Sequence, residues 1–111
     1  MKHFANVVLE RHTTVTGSFA TEPYEAGWAS EAIFFVRAEE IVGEQPLLRV
    51  KVQISADGIH WADEGTAFDP ITANGDYFVR IRHFGGWLRL CGDVQGDDSR
   101  FVLMVHLTLK E

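Results

Sequence analysis

One cysteine, three prolines and ten basic residues against sixteen acidic ones are what this 111-residue chain is short of. A single thiol excludes an internal disulfide framework and any multi-cysteine zinc site. The net charge of −6 counts against a phosphate backbone as main partner, because such binding rests on neutralising phosphates with Lys and Arg. No apolar run exceeds a few residues, so nothing reads as a membrane span. The opening Met1-Lys2-His3-Phe4-Ala5-Asn6 lacks the apolar block of a signal peptide. No stretch keeps a 3.6-residue period over three turns; at most residues 22–30 make one short helical turn.

What is present is globular. Hydrophobic residues make up 46% and charged residues 23%, values that argue against disorder. Residues 1–111 are one domain's worth of chain, and area scaling buries about two thirds of the unfolded surface.

Period-two patterning dominates. Over residues 46–55, Leu48, Val50, Val52 and Ile54 alternate with Arg49, Lys51 and Gln53, which predicts a strand with one buried face. Ala56-Asp57-Gly58 ends it as a turn, since Asp bonds its own backbone and Gly accepts a positive φ. Ile59-His60-Trp61 then restarts an extended run. Residues 101–110 place Phe101, Leu103, Val105, Leu107 and Leu109 on one face. Residues 77–84 place Tyr77, Val79, Ile81 and His83 opposite Phe78, Arg80, Arg82 and Phe84. Residues 87–91 resume after Gly85-Gly86, with Leu88 and Leu90 on one face, and residues 32–39 suit a central strand. Residues 6–10 and 13–20 read as weaker strands; Pro70 demotes 66–72 to an edge or loop. Seven to nine short strands with frequent turns predict an all-β, antiparallel β-sandwich of jelly-roll-like form.

Chemical motifs are sparse. His3, His12, His60, His83 and His106 form no compact ligand pair, and hydrogen-bonded surface histidines are the plainer reading, so no metal is expected. Asp57, Asp63, Asp93, Asp97 and Asp98 offer oxygen ligands for Ca²⁺ without EF-hand spacing; solvated turn carboxylates are the competing view. Cys91 lacks a neighbouring base and reads as a small buried hydrophobe. No nucleophile elbow or phosphate loop occurs. No catalytic residue and no cofactor is expected. Arg80 and Arg82 share a strand face with Phe78 and Phe84, a cationic-aromatic stripe of the kind enriched in subunit contacts. Arginines paired to the surplus carboxylates are the alternative.

The stretch from Val50 to Trp61, containing Ser55-Ala-Asp-Gly-Ile-His-Trp61, resembles the Ser-x-Asp-Gly-x-x-Trp hairpin of discoidin-like (F5/8 type C) jelly rolls. Tyr77-Phe-Val-Arg-Ile81 is similar to a later strand of that fold. Together with Phe84-Gly-Gly-Trp-Leu-Arg-Leu90, the same hairpin also resembles small β-sandwich proteins of tailed-phage virions. The resemblance covers roughly residues 47–110. It implies that Trp61 and Trp87 plug the ends of a sandwich. This chain departs from many discoidin-like domains in lacking a cysteine pair.

These readings lead to an expected non-enzymatic structural or binding module, cytoplasmic or virion-associated, that self-associates or joins a larger bacterial or viral assembly. The alternative is a carbohydrate-binding module with Trp28, Tyr24, His60 and Trp61 as its platform; a hydrolytic enzyme ranks third. Partners are expected to be the chain itself or other assembly proteins, or a glycan, rather than nucleic acid or membrane.

Overall fold

A computed structural model describes residues 3–111. The chain is all-β and antiparallel. Its strands are β1 (Phe4–Val15), β2 (Ser18–Ala20), β3 (Tyr24–Glu25), β4 (Glu31–Ser55), β5 (Ala62–Ala67), β6 (Gly75–Arg82) and β7 (Trp87–Lys110). Residues 22–30 make a short strand and a turn instead of the expected helical turn: Tyr24 and Glu25 pair with Leu88 and Trp87, and satisfying a sheet edge outweighs one unsupported helical turn.

The expected strands 32–39 and 46–55 are one 25-residue strand, β4, and 87–91 and 101–110 are one 24-residue strand, β7. The two pair from Glu31↔Lys110 to Ser55↔Trp87 as a long ribbon. Twenty-five extended residues would span about 80 Å, whereas the longest dimension of the molecule is 47 Å. The ribbon therefore bends in its middle and folds its two halves into two layers. In the first layer β6 flanks the N-terminal half of β4, and β1 flanks the C-terminal half of β7. In the second, β5 flanks the C-terminal half of β4, and β2 and β3 flank the N-terminal half of β7.

Insertions at the bend settle which side chains are inside. The register shifts at Ala38/Glu40 and Glu44/Leu47 each add a residue on β4, and the shift at Val42/Glu44 adds one on β7. Since side chains alternate, one insertion swaps faces and two restore them. Accordingly β4 buries even-numbered positions throughout (Ala32, Phe34, Val36, Ala38, then Leu48, Val50, Val52), whereas β7 changes from even (Leu88, Leu90, Val94) to odd (Phe101 through Leu109). Both sets join one core cluster with Ile71, Ile81 and Phe68. Gly43, Gln45, Gly96 and Asp98 take positive φ at this bend.

Trp61 and Trp87 are half-buried rather than closing the sandwich from inside. The Trp87 ring lies against Gly58, where an added Cβ would come within 3.1 Å of it. Trp61 is stacked under Arg89, whose guanidinium carbon is 4.2 Å from the ring centre. Cys91 is half-buried, not a full member of the core.

Candidate functional surface

Antiparallel partners share a face, so the register maps the outer side of each layer. Across β1, β7, β4 and β6 of the first layer runs the row Val8, His106, Phe35, Phe78. Beside it lies the row Asn6, Thr108, Ile33, Arg80, and beyond that Phe4, Lys110, Glu31, Arg82. Thr108 Oγ1 donates to Asn6 Oδ1 at 2.6 Å across two strands. The Phe35 and Phe78 rings are 5.9 Å apart, and the Arg80 guanidinium carbon sits 4.9 Å from the Phe78 ring centre. Six large apolar side chains are exposed among the described residues, and four of them lie on this face: Phe4 at 60%, Phe78 at 49%, Val8 at 38% and Phe35 at 37%. A shallow groove of about 430 Å³ follows its cationic end, lined by Glu31, Ile33, Arg80, Arg82, Thr108 and Lys110 among others.

The outer side of the second layer is of the opposite character. Lys51 Nζ donates to Asp63 Oδ2 at 2.9 Å, Gln53 Nε2 to Asp63 Oδ1 at 3.0 Å, and Arg89 Nε to Gln53 Oε1 at 2.9 Å. Those bonds, led by the amide of Gln53 and the ammonium of Lys51, hold the Asp63 carboxyl below its ordinary range. Arg89 then covers one face of Trp61. This is a closed polar network, with Cys91 among it; burial raises the Cys91 thiol pKa.

The turn foreseen at Asp57-Gly58 is tied by two side chains. Ser55 Oγ accepts from the backbone N–H of Gly58 at 2.8 Å and of Asp57 at 3.2 Å. Asp57 Oδ1 accepts from the N–H groups of Ile59 and His60, both at 2.9 Å, and Asp57 Oδ2 lies 2.8 Å from His60 Nδ1. His60 and Asp57 therefore serve the turn. The His60 backbone and ring, followed by the Ile59 N–H, hold the Asp57 carboxyl far below its usual range.

The residues proposed for a glycan platform are not brought together. Tyr24 shares its face with buried Leu88 and packs on the core, while Trp61 lies with Arg89 on the outer side. Trp28 sits in a turn, edge-on to the His3 ring at 6.3 Å. Arg80 and Arg82 do share the outer face of β6 with Phe78, as their alternation requires; Phe84 falls beyond the strand.

No three of His, Cys, Asp and Glu among the described residues converge on a point that could hold a metal ion. Asp57 and Asp63 are engaged as above, Asp93 accepts from Ser18 and Gln95, and Asp97 and Asp98 lie at the bend. His12 reaches over β7 to Glu39 at 2.7 Å. Among the described residues every buried side-chain polar atom has a partner. Sequence reasoning missed Phe35, Val8 and Phe4 as surface residues. Phe35 reads as core in the run Ile33-Phe34-Phe35-Val36, and only its register opposite Phe78 shows it facing out.

No family model matches the chain, and no curated protein matches it in sequence. Solved structures share its fold. The SPBc2 prophage-derived protein YomS is similar over 100% of this chain and 96% of its own, with a TM-score of 0.57 and 10% identity. A chain in the structure of infectious bursal disease virus Gx strain is similar over 98% of this chain, which spans 32% of it, also with a TM-score of 0.57 and 10% identity. PirA is similar over 99% of this chain and 93% of its own, with a TM-score of 0.50 and 11% identity.

Proposed function

We propose that this chain is a non-enzymatic structural module that works by association, as a subunit of a larger assembly of the virion type. The observation carrying this reading is the outer face of the first layer. It presents aromatic and aliphatic side chains in register beside arginines, the composition favoured at the centre of protein interfaces. A role without catalysis accords with how several polar groups are used: Asp57 and His60 are committed to a turn, and Asp63, His12 and Glu39 to cross-strand pairs. The fold shared with a prophage-derived protein and a virus chain supports the assembly setting, in which a cytoplasmic or virion-associated location follows.

Sedimentation equilibrium over a hundredfold range of concentration tests the reading. Reversible growth in mass with concentration is the expected result. A strictly monomeric protein at the highest concentration, inert toward every other component of its assembly, overturns it.

The carbohydrate-binding alternative, with which the discoidin-like hairpin is associated, has in its favour the exposed ring of Trp28. Calorimetric titration with a glycan panel, expected to give no heat of binding, separates the two.

A further inference from the structure

We infer that the outer face of the first layer docks a second copy of this chain about a two-fold axis lying along the Val8–His106–Phe35–Phe78 row. The inference rests on the assembly reading above and names its surface, its partner and its symmetry.

Charge distribution selects the partner. On one side of the apolar row stand Lys110, Arg80 and Arg82 with Glu31 and, in the lining of the same groove, Glu64, an excess of one positive charge. On the other stand Glu39, Glu40 and Asp76 with Arg37, an excess of two negative charges. That end stays negative if Arg11, in the β1 bulge at its rim, is counted with it. A face that is greasy along its middle and oppositely charged at its two ends complements itself when turned end over end. An axis along the central row does this. It lays the aromatic row of one copy on that of the other and brings Arg80 over Asp76, which Arg37 Nε of its own chain already holds at 2.7 Å, while the longer side chains of Lys110 and Arg82 reach the Glu40 region and offset the approach of Glu31 to it. Such an isologous contact closes on itself and forms a dimer, not a fibre.

Size is consistent with this use. Four strands about 4.8 Å apart and five rows about 6.7 Å apart offer roughly 600 Å² in projection. Side-chain relief raises the accessible area toward the about 800 Å² per partner of a standard interface. The second layer offers no comparable apolar row, because among the described residues none of the large exposed apolar side chains lies on its strand segments.

Charge reversal at each end tests the arrangement. In wild-type protein the dimer is expected by sedimentation velocity, and it weakens as salt rises. Arg80→Glu with Arg82→Glu makes both ends negative, and Glu40→Lys with Asp76→Lys makes both positive. Each double variant is expected to lose at least about tenfold in self-affinity, with its circular dichroism unchanged because these side chains lie outside the core. Mixing the two variants restores a dimer, now heteromeric. Phe78→Ser weakens association without regard to salt. Dissociated variants that fail to re-associate on mixing overturn the two-fold arrangement. A wild-type oligomer that none of these substitutions weakens overturns the surface and leaves the assembly reading standing. A wild-type protein that remains monomeric overturns the inference together with the self-associating form of that reading.

Discussion

Gly43 and Ser99 touch across the bend of the β4–β7 ribbon so closely that a Cβ on Gly43 would lie 2.5 Å from Ser99 Cα and 2.9 Å from Ser99 Cβ. Gly43 also has φ +130°, a conformation that L side chains rarely adopt. Ser99 is itself buried and cannot swing away. Gly43→Ala is therefore expected to destabilise the protein by on the order of 3 kcal/mol, from backbone strain and steric overlap together. Gly65→Ala, where nothing lies within 4 Å of the added methyl, separates the two causes because it carries the φ strain alone. Equal losses at both positions in urea denaturation would remove the close approach as the determinant of the bend.

Thr21 stands in for a missing strand at the β7 edge. Its N–H donates to the Leu90 carbonyl at 2.9 Å, and its Oγ1 accepts from the Leu90 N–H at 3.0 Å. Both residues are buried. Thr21→Val keeps the shape and leaves the Leu90 N–H without an acceptor, a loss of about 1–3 kcal/mol. Thr21→Ser keeps the hydroxyl and loses less. The denaturant midpoint is expected to fall more for Val than for Ser at an unchanged slope; the reverse order would show that the methyl group outweighs the hydrogen bond.

Strand identity and inward faces were legible in the sequence where alternation was clean. Leu48, Val50 and Val52, and the odd positions from Phe101 to Leu109, face the core as their pattern requires. Ile54 keeps the inward face opposite Leu88 and packs on the core, but it is only half-buried because the strand ends there and enters its turn. Continuity was not legible. Gly96-Asp97-Asp98 carries the residue types of a chain-reversing turn, yet the structure uses them as a bulge inside one strand. Turn and bulge make the same local demand for positive φ, and only the partner strand distinguishes them. The candidate surface was half legible. Arg80, Arg82 and Phe78 follow from alternation on β6, whereas Phe35 and Val8 become neighbours only through pairings with residues far away in sequence.

Cys91 offers a chemical check on the second layer. Burial is the main cause of its raised thiol pKa; the carboxylate of Asp63 adds to it, and Lys51 and Arg89 oppose it. The thiolate is the reactive form, so alkylation by iodoacetamide at pH 7.5 is expected to be several-fold slower than for a free thiol and to accelerate at higher pH. Lys51→Gln removes an opposing cation and slows it further. A rate equal to that of a small-molecule thiol would mean that the side chain is open to solvent.

The Asp57 turn predicts a specific acid response. In the fold its carboxylate accepts from the backbone and ring of His60 and from the Ile59 N–H, and these bonds depress its pKa; in the unfolded chain it titrates near its ordinary value of about 3.9. Protons therefore bind the unfolded state more readily. The contribution of Asp57 is complete above about pH 5 and is lost progressively as the pH falls through the unfolded value toward the folded one. Asp57→Asn retains an oxygen to accept from the two N–H groups but has no charge to titrate. Wild type is expected to melt several degrees above Asp57→Asn at pH 6, and the gap is expected to narrow as melts are repeated down to pH 2.5. Asp63, whose carboxyl is also depressed, titrates in both proteins and cancels from the difference. A gap that stays constant over that range would show that the charge of Asp57 does not stabilise the turn, leaving Ser55 Oγ and the positive φ of Gly58 as its determinants.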